Sequence, residues 1–518
     1  MNEVSAVLSP SLQQLLREFE GQSGLEGVDY ETKERPDGEV LIIGIANPTE
    51  RFYKIIQDIK ARYPEASTPT PTIKKRIPSS HLQSPEARYF LRILSESLNI
   101  SRSSFKDDFF ARYTKSVSNA ESQITASANH LVYGRRGAGK SSLLLYALRK
   151  REAQNFPSVW LDMQVYEKRS DNRAILDVIL EVLHQLRDLY VLSPTYASVT
   201  NGIRRLRDEE ELDDDRIRQI LPEIRNLFTN LPSQSRNLFI FLDDFHVLDL
   251  SLQPKLLGTI YAIIRGTDIF LKISAIETLT KSWDPQNHTG LQIPHDAQTI
   301  KLDYNLTMPD KAAKHIEGIL DAHAIYCGLP SVRFLCTSVD VLSRLVWVSA
   351  GVPRDALSLF AQAMTRGSVS NRSLVSVTNI NLAASEMVSQ KMRDLASDVP
   401  ARSAENNLAS LLEDVKDFCI KQKRKNAFLV EIQSDDPLYQ NILKLVDLRM
   451  VHVISEGITV GEAGRKYIAL ILDYGFYTGI RAAQSVDLFN RQTQRVTYKE
   501  LRRLPVLVRA DVGGGNFT

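Results

Sequence analysis

The chain has 518 residues, 43% hydrophobic, 24% charged and 8% aromatic. That composition excludes a wholly disordered, collagen-like or coiled-coil protein and, at roughly 100–200 residues per domain, predicts about three or four domains. Sixty-four Lys and Arg against 62 Asp and Glu leave a formal charge of +2, so there is no global basic field and any nucleic-acid-facing surface has to be local.

Three cysteines, Cys327, Cys336 and Cys419, form no CxxC pair, which argues against a disulfide scaffold or a cysteine zinc site. The apolar runs, such as Leu238–Leu242, fall far short of the ~20 residues that span a bilayer. The first residues lack a basic stretch followed by an apolar one. A cytoplasmic protein with no membrane partner is expected.

In chain order, Pro10–Glu20 carries apolar residues at helical spacing (Leu12, Leu15, Leu16, Phe19). Val28–Lys33 and Val40–Ile45 read as strands around the turn Pro36-Asp37-Gly38, and Asn47-Pro48-Thr49 opens a helix through Phe52, Ile55, Ile56 and Ile59. This order is α-β-β-α. Pro64–Pro85 shifts to Pro, Ser and Thr and contains Lys74-Lys75-Arg76, an expected exposed linker whose basic triplet is solvated or, less simply, contacts phosphate. Between Ser101 and Thr307 five short apolar strands, His130–Gly134, Ser158–Val165, Leu238–Asp243, Ile269–Ile276 and Thr299–Tyr304, alternate with helical stretches, the pattern of a parallel sheet covered on both faces. The mixed-charge run Arg204–Arg218 lies in a helical stretch and reads as a solvated face. Met308–Arg366 shows no obvious strand, the region from Ser385 to Arg481 mixes helices with a late strand pair, and Gly513–Gly515 reads as frayed.

The strongest local signal runs from Leu131 to Ser142. Gly134-Arg135-Arg136-Gly137-Ala138-Gly139-Lys140-Ser141-Ser142 matches G-x-x-x-x-G-K-[ST], after a strand and before the helical stretch Leu143–Arg149. Its glycines let backbone N–H groups converge on an anion, the helix start adds a positive end, Lys140 can reach β- and γ-phosphates, and Ser141 can ligate Mg²⁺. The partner is Leu238-Phe239-Ile240-Phe241-Leu242-Asp243-Asp244, a buried strand ending in two carboxylates. Asp243 is placed to hold Mg²⁺. Asp244 either activates the attacking water or caps the following helix. As an Asp it is short for the first role, so hydrolysis is expected to be slow. Ser274, near the end of Ile269–Ile276, either senses the γ-phosphate or is a buried, satisfied serine. Arg265, just before that strand, is either an arginine finger offered to a neighbouring subunit or a surface arginine. His246 is assigned a local hydrogen-bonding role. Phe110 and Tyr113 read as core aromatics.

With these motifs placed, the middle of the chain resembles the AAA+ and STAND group of P-loop ATPases, most like origin-recognition-type initiators and STAND switches. A third motif, Ser349-Ala350-Gly351-Val352-Pro353-Arg354-Asp355-Ala356-Leu357, is similar to the G-x-P-R corner in that group's lid. The resemblance implies that Arg354 points at the phosphates and Pro353 lies near the adenine, and that Phe110 or Tyr113 could pack over the base. It covers roughly Phe105–Arg366. More weakly, it extends to a winged helix built from helices Asn407–Gln422 and Pro437–Asp447, strands Met450–Ile454 and Gly457–Val460, and a further helix Gly461–Tyr474. Lys421, Lys423, Arg424, Lys425, Arg449, Arg465 and Lys466 would give that domain a phosphate-contacting face, unless it docks protein. Across the chain, VYGRRGAGKSS, FLDDF and GVPRDA also look like bacterial ATPases of mobile-element and defence loci. The small N-terminal module departs from the initiator pattern.

The expected fold class is α/β. Residues 1–63 form a small α+β module, 64–100 a linker and helix, and 101–307 a P-loop core with a five-stranded parallel sheet. Residues 308–384 form a helical lid, 385–481 a C-terminal winged helix, and 482–518 an extension. The expected function is an ATP- and Mg²⁺-binding, slowly hydrolysing switch that assembles with itself and engages double-stranded DNA through its C-terminal domain, in anti-phage defence or a mobile element. The alternative is a protein-interaction scaffold or sensor, with a protein partner on the N-terminal module and no DNA contact. A metabolic kinase is disfavoured by the paired carboxylates and the lid motif.

Overall fold

The computed structural model describes residues 8–65, 67–167, 169–190, 194–230, 237–302, 306, 308–397, 403–460, 464–477, 486–489 and 496–512. Gly513–Gly515, Tyr304 at the expected end of the fifth strand, and Arg481 lie outside them. The chain divides into two units, one spanning 100–303 and the other combining 1–99 with 304–518.

In the second of these, the helix Pro10–Ser23 starts where Ser9 Oγ accepts from Leu12 N (3.5 Å), with Pro10 at a position that needs no N–H donor. Leu12, Leu15 and Phe19 turn inward. Strands β1 (Asp29–Arg35) and β2 (Gly38–Ile45) form an antiparallel hairpin, followed by the helix Glu50–Arg62. The expected linker contributes β3 (Thr72–Lys75), parallel to β2. Its basic residues pair with β1, Lys74 with Glu31 and Arg76 with Asp29, each at 3.0 Å.

Residues 1–63 do not keep a core of their own. Glu86, on the helix Pro85–Glu96, accepts from Ala46 N (2.9 Å). Asn47 N donates to Gly328 O (2.8 Å). Arg51 donates to Ser23 O and Tyr326 O and stacks 4.1 Å over the Tyr326 ring. Phe19, Phe52, Phe90 and Phe360 belong to one continuous apolar cluster. A segment of about 60 residues buries too little surface to be stable easily alone, and sharing a core offsets that deficit.

The unit 100–303 is built on β4 (His130–Tyr133), β5 (Ser158–Asp162), β6 (Leu238–Asp243), β7 (Ile269–Ala275) and, after a short hairpin of β8 (Trp283–Asp284) and β9 (Thr289–Gly290), β10 (Gln298–Lys301). The five long strands are all parallel in the order β10-β4-β7-β6-β5. β7 therefore lies beside the phosphate-loop strand, as expected. The side-chain period of two shows in β6: Leu238, Ile240 and Leu242 enter one apolar cluster, and Phe239 and Phe241 the other. The run Arg204–Arg218 is not one helix. It divides into Pro194–Arg207 and Asp214–Thr229, with Asp213 Oδ1 accepting from Arg216 N (2.8 Å) to cap the second. A cluster of acids favours an N-cap over continuing a helix.

From 309 onward the other unit is helical and strandless as far as Val369: Pro309–Tyr326, Asp340–Val348 and Pro353–Val369. Helices Val377–Ser397 and Ser403–Asp417 follow, the latter running into a π-turn, Phe418–Gln422. Then come β11 (Ala427–Glu431), the helix Pro437–Asp447, β12 (Val451–Ile458) and β13 (Tyr467–Leu472), in an antiparallel sheet of order β11-β13-β12.

Two expectations are corrected here. Ser455-Glu456-Gly457 makes no turn between two strands, because β12 runs through it with register shifts. The expected helix Gly461–Tyr474 is not found among its described residues, 464–474. Tyr467–Leu472 is fully buried as the central strand, since six apolar residues covered on both faces suit a strand and are too few for a stable helix. The C-terminal extension closes the free edge of β11: Leu429 N donates to Pro505 O and Leu507 N to Leu429 O, both at 2.8 Å.

Candidate nucleotide site

The phosphate loop leaves the C-terminal end of β4 and enters the helix Lys140–Glu152. Gly137 and Gly139 have φ of 82° and 96°, a region that side chains rarely tolerate and that turns successive N–H groups inward. At Gly134 a Cβ would lie 3.2 Å from Ala138 Cβ and 3.5 Å from Lys140 Cγ, so a side chain there would crowd the loop where it closes on itself. Lys140 is buried, its ammonium donating to Gly134 O (2.9 Å) and Arg135 O (3.2 Å). Ala138 N bonds Arg135 O (3.1 Å), and Arg136 is exposed. Ser141 and Ser142 are the second and third residues of the helix. This loop, on a parallel sheet with acids at the next strand end, decides the fold.

It is the fold of a P-loop core.

The carboxylates stand where β6 ends. Asp243 Oδ1 accepts from Ser141 Oγ (3.0 Å), from Ser274 Oγ and from Asp244 N (3.1 Å). Burial, with the neighbouring Asp244 charge adding to it, pushes the Asp243 pKa up to about 6 against the pull of those hydroxyls. A buried carboxylate 3.0 Å from a serine hydroxyl is a hard-oxygen donor set short of positive charge, which fits Mg²⁺.

Ser274 is fully buried and also accepts from Asp244 N (2.9 Å). Its hydroxyl is thereby hydrogen-bonded both to the Asp243 carboxylate and to the Asp244 backbone. Asp244 has φ 53° and makes no capping bond with its side chain. Instead Gln164 Nε2 donates to its Oδ2 (2.9 Å). Gln164 is held by a 3-10 turn, Met163–Tyr166, that starts where Asp162 Oδ1 accepts Gln164 N (3.0 Å). Nothing in the sequence marks Gln164, because it meets Asp244 only through the pairing of β5 with β6.

His246, two residues on, has its pKa lowered to about 4. Burial is the main cause, the Asp244 charge opposes it, and Lys140 and Arg136 add to it. Its buried Nδ1 has no hydrogen-bond partner among the described residues.

The other expected residues fall elsewhere. Phe110 and Tyr113 stack on Tyr146 of the phosphate-loop helix, with ring centroids at 5.5 and 4.7 Å, as core packing. Arg265 is exposed just before β7, its carbonyl accepting from Arg225 (2.9 Å). The seven residues of β7 put Arg265 on the order of 20 Å from its own chain's carboxylates. Pro353 and Arg354 belong to the other unit, at the first two positions of the helix Pro353–Val369. Ala350 and Gly351, with φ of 50° and 73°, turn the chain between two helices, as expected of that corner. Arg354 is exposed, while the buried Asp355 pairs with Arg449. Arg449 is thereby removed from the expected phosphate-contacting face, since a guanidinium neutralised by a buried carboxylate is not free for another anion. Among the described residues no cluster of metal-ligating side chains of the three-or-more kind occurs, and no helix is long and apolar enough to cross a membrane.

No family model and no curated protein matches the chain. Among solved structures, Cdc6p from Pyrobaculum aerophilum is similar at 12% identity and TM-score 0.36, over 75% of this chain and 98% of that one. Aeropyrum pernix ORC1 in complex with DNA is similar at 15% identity and TM-score 0.38, over 70% and 90%. The Thermotoga maritima RuvB Holliday junction branch migration motor follows at 13% and 0.31, over 60% and 80%. At these identities and scores the likeness is faint, and it is the geometry of the loop and carboxylates that points to a nucleotide.

Proposed function

We propose that the chain is an ATP- and Mg²⁺-binding switch with slow hydrolysis, which assembles with itself and engages DNA. One observation carries the nucleotide part: the hydroxyls of Ser141, on the phosphate-loop helix, and Ser274 both donate to one carboxylate oxygen of Asp243. In this reading the loop amides and Lys140 bind the phosphates, and Ser141 and Asp243 hold the metal, which supplies charge neutralisation to the transferring phosphoryl group. Asp244, held by Gln164, orients the attacking water. A carboxylate one methylene shorter than Glu, and already hydrogen-bonded, supports slow turnover.

Arg354 and Pro353 are proposed to meet the nucleotide from the lid. ATP then shifts the switch only by the difference in its affinity for the two lid positions. Arg265, exposed and far from its own carboxylates, is proposed to act on a neighbouring subunit's nucleotide. The order helix, β11, helix, β12, β13, with β13 central, supports reading the C-terminal part as a winged-helix variant.

The test is mass measurement of the purified protein with ADP, with ATP and as Lys140→Ala, each with and without duplex DNA. ATP-dependent assembly lost in Lys140→Ala is expected. A mass that never changes with ATP or DNA overturns the switch.

A further inference from the structure

A winged helix is expected to meet DNA through the helix before β12 or through the β12–β13 hairpin; here the helix is nearly free of cations, and the hairpin carries Arg465 and the exposed Lys466. The helix Pro437–Asp447 carries one cation, Lys444, bonded to Asn441 (3.1 Å). Asp436 at its start holds Arg509. On the hairpin, Arg465 leans toward Glu431 (3.8 Å), and Arg449 is committed to Asp355.

The register separates what the sequence seemed to group. Glu431 lies beside Tyr467 and Ala427 beside Ile471. Arg465 and Lys466 therefore sit at the opposite end of the sheet from Lys421–Lys425, about 15 Å away along β11.

At the Lys425 end the fold adds cations that the sequence keeps far apart. Two segments of the C-terminal strap each bridge this edge in parallel at one point, Asp487 to Lys425 and Val506 to Leu429. Asn426, fully buried, pins the first of them by accepting from Phe489 N and donating to Tyr477 Oη, both at 2.8 Å. Because the pairing is parallel, the residues before Val506 lie toward the Lys425 end. Leu501 and Leu504 are buried there, and between them Arg502 and Arg503 are exposed. Lys423 and Arg424 are exposed as well. These four make no ion pair among the described residues, although Lys423 lies 5.5 Å from the Phe418 ring. The acids on these segments are Asp417, engaged by Lys421, Glu500, engaged by Thr497, and Asp487.

We propose that Lys423 and Arg424 together with Arg502 and Arg503 form a surface that contacts the phosphate backbone of duplex DNA, in place of the helix Pro437–Asp447 and its hairpin. This rests on the DNA-binding reading above and locates it. The anchoring of the strap by buried leucines holds the two arginines in place, so little ordering entropy is lost on contact. No base-edge reader is involved, so binding is indifferent to sequence and steep in salt.

The experiment is fluorescence anisotropy of a labelled duplex against the full chain with ATP, from 50 to 200 mM salt. It compares wild type with K423Q/R424Q/R502Q/R503Q and with K444Q/R465Q/K466Q. The first variant is expected to lose at least tenfold in affinity, with the log–log salt slope shallower by about 3 to 4, near 0.9 per contact. The second stays within twofold of wild type. K423R/R424K/R502K/R503K, which keeps every charge, retains the affinity and shows that the loss in the first variant is not misfolding. If the second variant loses binding and the first does not, the location is wrong and DNA binding itself stands. If wild type binds ATP but no duplex at 50 mM salt, DNA binding falls and the surface with it. Binding of wild type to phosphatidylglycerol vesicles in place of duplex, lost in the first variant, equally overturns the proposal.

Discussion

Lys272 sits in the middle of β7 with no exposed surface. Its Nζ lies 2.6 Å from Ala126 O, 2.7 Å from Ala128 O and 2.9 Å from His130 Nδ1, and 4.3 Å from the Phe239 ring. Burial lowers its pKa from 10.5 to about 6, with Arg151 adding repulsion. Between those two values the unfolded chain binds one proton more than the folded chain. Stability therefore rises with pH across that window and is flat on either side, with a slope of up to about 1.4 kcal/mol per pH unit. Lys272→Met keeps the length and removes the titration. Urea unfolding, followed by tryptophan fluorescence with Trp160 and Trp283 in the same unit, would be measured from pH 6.5 to 8.5. The wild-type free energy should climb relative to the variant by about 2–3 kcal/mol over that range. Parallel curves for the two proteins would show that the ammonium stays charged inside the fold, held by its three acceptors, and would refute the reasoning.

Two further outcomes follow from geometry. Asp244→Asn should leave ATP affinity within about twofold and abolish turnover, since the amide keeps a hydrogen-bond acceptor for Gln164 but cannot take a proton; unchanged turnover removes Asp244 from that role. Gly328→Ala should destabilise the unit that contains it by about 1–3 kcal/mol, read as a lower thermal midpoint, because φ is 88° and a Cβ would meet Ile45 Cγ2 and Phe52 Cζ at 3.0 Å. A midpoint equal to wild type would mean that β2 and the helix Glu50–Arg62 can move away freely.

The pieces read correctly in advance are those whose geometry is local. The phosphate loop needs glycines and a following helix within nine residues, and β6 is a continuous apolar run whose end carries the acids. The corner at Gly351–Pro353 depends on residues side by side. In each case the backbone preferences of neighbouring residues suffice, and the structure returns β6, the loop and the helix Pro437–Asp447 where expected.

What the sequence could not show depends on which strand pairs with which. Gln164 reaches Asp244 because β5 and β6 are neighbours, 80 residues apart in the chain. Arg449, one more cation in the sequence, is spent on Asp355. Tyr467–Leu472 is a strand because partners on both sides complete its hydrogen bonds. Pairing across long separations is decided by which faces must be buried together, and that is a property of the folded chain. The near-zero net charge fixed only that a basic surface must be local. Which cations share an edge is decided by the tertiary structure, because the parallel bridge of Leu429 with Val506 joins segments about 80 residues apart and no local preference does.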